Sequence, residues 1–233
     1  MPEFNTIAII LLIALLLLWN LDFLATLLNL GSLKPELPRE LADVYNPEKY
    51  ATSQEYARAN SRFGIISSIA SLTILLTFWF FGGFAWLDQW SRSLGLTDVP
   101  TGLVYVFALL LGNYLLNLPF TAYDTFVLEE RFGFNKTTRR TFIIDQVKSI
   151  ILTALIGAPL LAGILLIFHQ VPLAWFWAWL AFSAFMLAIT YLAPSLIMPL
   201  FNKFQPMEDG ELKDAIYRMA EECDFPLTEI TVM

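Results

Sequence analysis

TIAIILLIALLLLWNLDFLATLL, residues 6–28, decides the fold class. Apart from Thr6, Asn20, Asp22 and Thr26, every side chain in it is apolar. As a helix it would be about 34 Å long, enough to cross a hydrocarbon core of about 30 Å. A helix satisfies its own backbone hydrogen bonds, and in lipid no water is available to do so. Asp22 sits near the inner end and is expected at the interface. Glu3 precedes the run, and no Lys or Arg occurs before Lys34. A cleaved secretory signal has a basic start and a short apolar core, so this stretch reads as a retained span.

Outward from it the pattern repeats. Apolar blocks at 63–87, 101–123, 147–168 and 173–193 make five spans in all. The chain is 57% hydrophobic and 15% charged, where soluble domains average about 25% charged. His169, Gln170, Val171 and Pro172 alone separate the last two blocks. Pro172 lacks an N–H and clashes with the preceding turn, so a tight helical hairpin is expected there. The fold class is therefore an all-α polytopic membrane protein.

Basic residues stay on the cytoplasmic side of a membrane. Lys34, Arg39, Lys49, Arg58 and Arg62 follow the first span. Arg131, Lys136, Arg139, Arg140 and Lys148 follow the third, and Lys203, Lys213 and Arg218 lie in the tail. Those 13 face the single Arg92 on the other side, out of 14 Lys and Arg. The asymmetry predicts an outside N-terminus and a cytoplasmic tail, which needs an odd number of spans. A bacterial inner membrane is the expected site, and an endoplasmic reticulum membrane would show the same asymmetry. The cytoplasmic segments mix charges with aromatics (Tyr45, Tyr50, Tyr56; Phe132, Phe134, Phe142), so short helices packed at the membrane surface or on another domain are expected.

The chain changes character after Leu200. Residues 1–199 read as a membrane domain and 200–233 as the beginning of a cytoplasmic region. Leu212, Ala215, Ile216, Met219, Ala220 and Cys223 recur at helical spacing and give one apolar face. After Phe225-Pro226-Leu227, the alternation through Thr228, Ile230 and Val232 reads as a strand. The helix wants a partner for its apolar face and the strand wants a neighbour. Neither follows downstream, so the sequence reads as cut at the start of an α/β soluble domain.

The formal net charge of −7 gives no support for nucleic-acid binding. One cysteine, Cys223, allows no intrachain disulfide. One histidine, His169, reads as an interfacial residue on a short external turn. With one His and one Cys the usual zinc ligands cannot be assembled from this chain, so no metal or catalytic residue is expected in it. No phosphate loop, GxSxG or HExxH occurs. Asn135-Lys136-Thr137 fits the glycosylation pattern, but the topology places it inside.

Asn113 and Asn117 lie one turn apart inside the third span. Buried amides in lipid need partners, so they face either another helix or a wet cavity. Ser67, Ser71, Gly157, Ala158 and Ala162 suit close helix packing.

The segment Phe126-Val127-Leu128-Glu129-Glu130-Arg131-Phe132-Gly133-Phe134-Asn135-Lys136 resembles a signature of the type I CaaX prenyl proteases, which are integral-membrane zinc metalloendopeptidases. Pro199-Leu200-Phe201-Asn202-Lys203-Phe204, Pro206 and Asp209-Gly210-Glu211-Leu212 agree with it, as does Phe225-Pro226-Leu227. Tyr45 to Tyr50, Pro119 with Tyr123, and Phe142, Asp145 and Lys148 match more weakly. The likeness covers nearly the whole chain, most securely 43–233.

The resemblance implies seven membrane helices around a water-filled chamber. It implies a cytoplasmic-side zinc held by the two His of HExxH and a downstream Glu. The Glu within that motif would activate the zinc-bound water. Eukaryotic members trim prenylated CaaX proteins, and bacterial relatives act in membrane-protein quality control. This sequence stops before HExxH and before the last two spans, so five helices of the seven are expected and zinc belongs to an intact parent. On this reading Asn113 and Asn117 line the chamber. Glu129, Glu130, Arg131, Phe132, Gly133, Phe134, Asn135 and Lys136 form a structural brace, or else a solvated surface, and Pro199, Asn202 and Lys203 belong to the same structural signature.

Three functions are weighed. The first is the N-terminal membrane part of such a protease, with the bilayer, a missing C-terminal catalytic region and a peptide or prenylated protein substrate as partners. The second is a catalytically dead scaffold of the same descent. The third is a small transporter, which the absence of Lys, Arg, Glu or His at mid-span disfavours. The signature places the first ahead.

Overall fold

The structure is a computed structural model that describes residues 5–38, 46–227 and 229–232. Tyr45, part of the first aromatic set, lies outside them. The chain divides into two compact units, 1–143 and 144–233. Among the described residues, five helices are long and apolar enough to cross a membrane: Thr6–Ser32, Pro47–Phe80, Asp98–Glu129, Arg139–Gln170 and Ala174–Phe201.

In the first unit, α1 (Thr6–Ser32) starts where Asn5 Oδ1 accepts from the Ala8 N–H at 2.8 Å. That cap satisfies one of the orphan donors of a helix N-terminus. α2 (Pro47–Phe80) starts the same way, with Asn46 Oδ1 accepting from Glu48 and Lys49 and Pro47 in the first turn. Trp19 Nε1 of α1 donates to Ser68 Oγ of α2 at 2.6 Å. The small-residue packing expected at Ser67 thus involves the next serine, whose hydroxyl gives the indole an acceptor that lipid could not supply. Arg58 donates to the Leu33 carbonyl at 2.8 Å, closing the end of α1.

Span two is shorter than its apolar composition suggests. It stops at Phe80 instead of 87, because Gly82 takes a left-handed turn (φ 76°) that L-residues with a Cβ resist. A separate helix α3 (Gly83–Ser93) follows, with Leu87 and Ser91 buried and an Asp88–Arg92 pair on its surface. α4 (Asp98–Tyr123) carries Pro119 and passes directly into a π-helical segment, Asp124–Glu129.

The short surface helices expected between spans are not separate. Residues 47–62 are the first turns of α2, and 124–131 prolong α4. Each segment stays helical where the apolar run stops, after α4 with a shift to π-helical hydrogen bonding at Asp124–Glu129, because a change of solvent is no helix stop.

α5 (Arg139–Gln170) begins in the first unit and continues into the second. A turn at Val171–Leu173 separates α5 from α6 (Ala174–Leu192), so the two blocks are two helices and not one continuous one. Phe176 packs on Trp175, Trp177 and Trp179 at the start of α6, a grouping suited to the membrane–water interface. α6 runs through a π-helical segment, Ala193–Ile197, into α7 (Met198–Phe201). The tail forms a two-stranded antiparallel sheet, β1 (Gln205–Pro206) with β2 (Thr231–Val232), around the helix α8 (Glu211–Glu222). The neighbour that the last strand needs is therefore supplied from upstream in the chain. Leu212 and Met219 on α8 remain 63% and 60% exposed.

Candidate functional site

Three groupings bring the singled-out residues together. The first is a cleft of about 590 Å³ between α2, α3 and α4 of the first unit. Ile74, Leu75 and Phe78 form one wall, Phe84 and Leu87 close one end, and Leu109, Asn113, Leu116 and Asn117 form the facing wall. Its size falls within the range of about 300–1,000 Å³ usual for ligand pockets. Both asparagines line it. Asn117 Nδ2 donates back to the Asn113 carbonyl at 2.8 Å and to Asn113 Oδ1 at 3.0 Å. The partner each amide needs is thus one turn away on the same helix. Asn117 spends its donors on these bonds, and the two Asn113 N–H groups have no protein acceptor among the described residues.

The second grouping is the turn that carries the family signature. Gly133 adopts φ 75° at the end of the helix. The Gly133 N–H donates to the Glu130 carbonyl at 3.1 Å and the Phe134 N–H to the Glu129 carbonyl at 2.9 Å. This is the Schellman pattern, which needs a left-handed residue where glycine sits. Asn135 then acts twice. Its Nδ2 donates to Glu130 Oε2 at 2.8 Å, and its Oδ1 accepts from the Thr137 N–H at 2.7 Å. Thr138 Oγ1 accepts from the Thr141 N–H and caps α5. From α2, Tyr56 stands edge-on to Phe132 and Phe134 at 5.3 and 4.8 Å. Arg131 lies over the Phe132 ring, and Phe126 meets Phe142 at 5.2 Å. Phe63 stacks on Tyr123 at 4.8 Å, tying the same region of α2 to α4. Lys136 stays exposed.

The third lies in the second unit. Lys148 Nζ donates to the Leu200 carbonyl at 2.8 Å, approaches Asp145 at 3.4 Å and sits over the Phe201 ring. A cation at the last carbonyls of a helix both pairs an orphan acceptor and suits the dipole. Pro199 occupies the first turn of α7, Asn202 is its extended C-cap, and Lys203 is exposed. In the tail, the Lys213 ammonium 2.7 Å from Asp209 holds that carboxyl below its usual range. Sequence reasoning names Tyr56 and Lys148 but gives neither a partner. Their contacts join residues 76 and 52 positions apart or more, and no local pattern encodes such a pairing.

Among the described residues, no three His, Cys, Asp or Glu side chains converge where they could hold a metal ion. His169 lies in the last turn of α5, and Cys223 caps α8.

The sequence family described as "CAAX prenyl protease N-terminal, five membrane helices" matches residues 26–203. The chain belongs to this family. The match takes in both the 126–136 signature and Pro199 to Lys203, so the resemblance read from those residues is borne out. As a member of the CAAX prenyl protease N-terminal family it is an integral membrane protein, mostly helical, with five membrane-length helices. It is 36% identical over 210 residues to CAAX prenyl protease 1 of Saccharomyces cerevisiae, covering 85% of this chain and 46% of that protein. It is 33% identical over 219 residues to the probable CAAX prenyl protease 1 of Schizosaccharomyces pombe, covering 86% and 45%. The crystal structure of S. mikatae Ste24p superposes with a TM-score of 0.81 at 33% identity, over 93% of this chain and 52% of that one. The chain spans about half the length of the curated relatives it matches.

Proposed function

We propose that this chain forms the N-terminal membrane region of a zinc metalloendopeptidase of the CAAX prenyl protease type. The observation that carries the proposal is the family match over residues 26–203, together with relatives about twice as long. The described residues do not fit a zinc site, since no metal-capable cluster occurs among them. The metal and the hydrolytic step would then belong to the part of the relatives' length that this chain does not span.

What this chain would contribute is a scaffold. Residues 1–199 would be the membrane domain and 200–233 the entry to the cytoplasmic protease region. The 13-to-1 distribution of Lys and Arg supports an outside N-terminus and a cytoplasmic tail. Asn113 and Asn117 would line the chamber wall. With Asn117 turned back onto its own helix, the Asn113 N–H groups are left to donate to a peptide carbonyl passing through the cleft. The 129–136 turn and Pro199, Asn202 and Lys203 would hold the cytoplasmic ends of the spans in register. The substrate would be a peptide or prenylated protein.

The test compares two products in purified membranes: the full reading frame that contains these residues, and residues 1–233 alone. The full product is expected to cleave a farnesylated CAAX peptide, to lose activity to a chelator and to regain it with zinc. Residues 1–233 are expected to be inactive. A reading frame that stops after Met233, with no cleavage by its product, would overturn the proposal.

A further inference from the structure

Four cations stand on one short stretch, and among the described residues no carboxylate pairs with them. Arg131 and Lys136 belong to the signature turn, and Arg139 and Arg140 to the first turn of α5. All four are exposed, and among the described residues none forms an ion pair. Residues 129–140 hold four bases and two acids, a formal +2, in a chain of −7. The remainder therefore carries −9, so carboxylates are plentiful in this protein, yet the two in this stretch, Glu129 and Glu130, form no ion pair with the four cations among the described residues. Glu130 already accepts from the Asn135 amide. The first turn of α5 contains no acid. A stability role alone would place acids at that end of the helix, because the macrodipole disfavours cations there.

The backbone beneath these charges is fixed by the Schellman turn, by Asn135 and by the Thr138 cap. The stretch is also close to the bilayer. Residues 149–168 of α5 hold no charged side chain, so the hydrocarbon begins near Lys148. Arg140 lies eight residues before Lys148, about 12 Å along the helix. A headgroup layer is about 5–8 Å thick per leaflet. An extended Arg side chain spans most of the difference, which is also within a Debye length of about 8 Å at physiological salt.

We propose that Arg131, Lys136, Arg139 and Arg140 form a binding site for anionic phospholipid headgroups of the adjacent leaflet. Guanidinium groups match the phosphate oxygens in bidentate fashion. The site would clamp the signature turn to the membrane surface, and it is independent of proteolysis.

The test uses the full chain in detergent micelles supplied with phosphatidylglycerol or phosphatidylcholine. Native mass spectrometry counts the lipids retained, and thermal unfolding reads the stabilisation. The unaltered chain is expected to prefer phosphatidylglycerol and to lose that preference in 1 M salt, where the Debye length falls to about 3 Å. Each neutralised charge is expected to weaken retention about fivefold, so Arg139→Gln with Arg140→Gln gives roughly 25-fold. Arg139→Lys with Arg140→Lys is expected to keep most of it. Equal retention of both lipids by the unaltered chain overturns the proposal, as does a glutamine variant that keeps the preference. Should the glutamine variant fail to fold, a preference of the unaltered chain that survives 1 M salt overturns it equally.

Discussion

Two helix ends in this protein close with the same backbone motif and differ in everything around it. At the signature turn, the Gly133 and Phe134 N–H groups return to the Glu130 and Glu129 carbonyls. At the end of α8, the Asp224 and Phe225 N–H groups return to the Glu221 and Ala220 carbonyls in the same way. The left-handed residue is Gly133 at φ 75° in one and Asp224 at φ 53° in the other. The first turn is further gripped by Tyr56, Phe132 and Phe134 and by the two bonds of Asn135. Among the described residues, no aromatic pair or side-chain hydrogen bond grips the second, and Phe225 is 64% exposed. A Schellman turn is cheap to encode locally. What distinguishes the signature turn from the tail turn is the set of long-range contacts added to it.

The comparison breaks most sharply at Tyr56. Replacing it with alanine removes two edge-to-face contacts and is expected to cost about 1–3 kcal/mol, since an aromatic pair contributes about 0.5–1.5 kcal/mol beyond its buried area. Denaturant unfolding in detergent reads the loss, and amide exchange is expected to rise at residues 132–138 and not at 223–227. Tyr56→Phe is expected to keep nearly all the stability; a loss as large as that of alanine would mean the rings are not what holds the turn.

Gly133→Ala comes next. Space is not at issue, because a Cβ built there meets nothing within 4 Å. The expected cost is the left-handed conformation alone, about 1–2 kcal/mol. An unchanged unfolding midpoint would show that the turn can be closed without φ 75°.

Asp224→Gly is the smallest change. It relieves strain at φ 53° but adds freedom to the unfolded chain, and aspartate already tolerates this region better than most residues. The net effect is expected within about 0.5 kcal/mol of zero by the same unfolding measurement. A gain well above that would mean the tail turn is strained in a way the signature turn is not.

Much of this architecture was legible in the residues themselves. The run at 6–28 and its four successors announce membrane helices because lipid leaves an apolar stretch of that length no other stable backbone state. Pro172 announces the break between α5 and α6, and the alternation at 228–233 announces a strand. The signature at 126–136 gave the family away, since its residue types are dictated by a turn the backbone must make. Where helices would stop was less legible. Span two ends at Phe80, before Gly82 and not at the last apolar residue, and the segments before span two and after span three simply continue their helices.

Sequence by itself thus determined the fold class, the number of spans and the family, because hydrophobicity, length and turn chemistry are local properties. Tertiary structure alone decided the partners. Tyr56 finds Phe132 and Phe134, Lys148 finds the Leu200 carbonyl, and the last strand finds Gln205 and Pro206 behind it. It also decided that Asn113 and Asn117 bond to each other along one helix while lining a cleft. Such pairings depend on which surfaces meet when the helices pack, and no periodicity within a single helix carries that information.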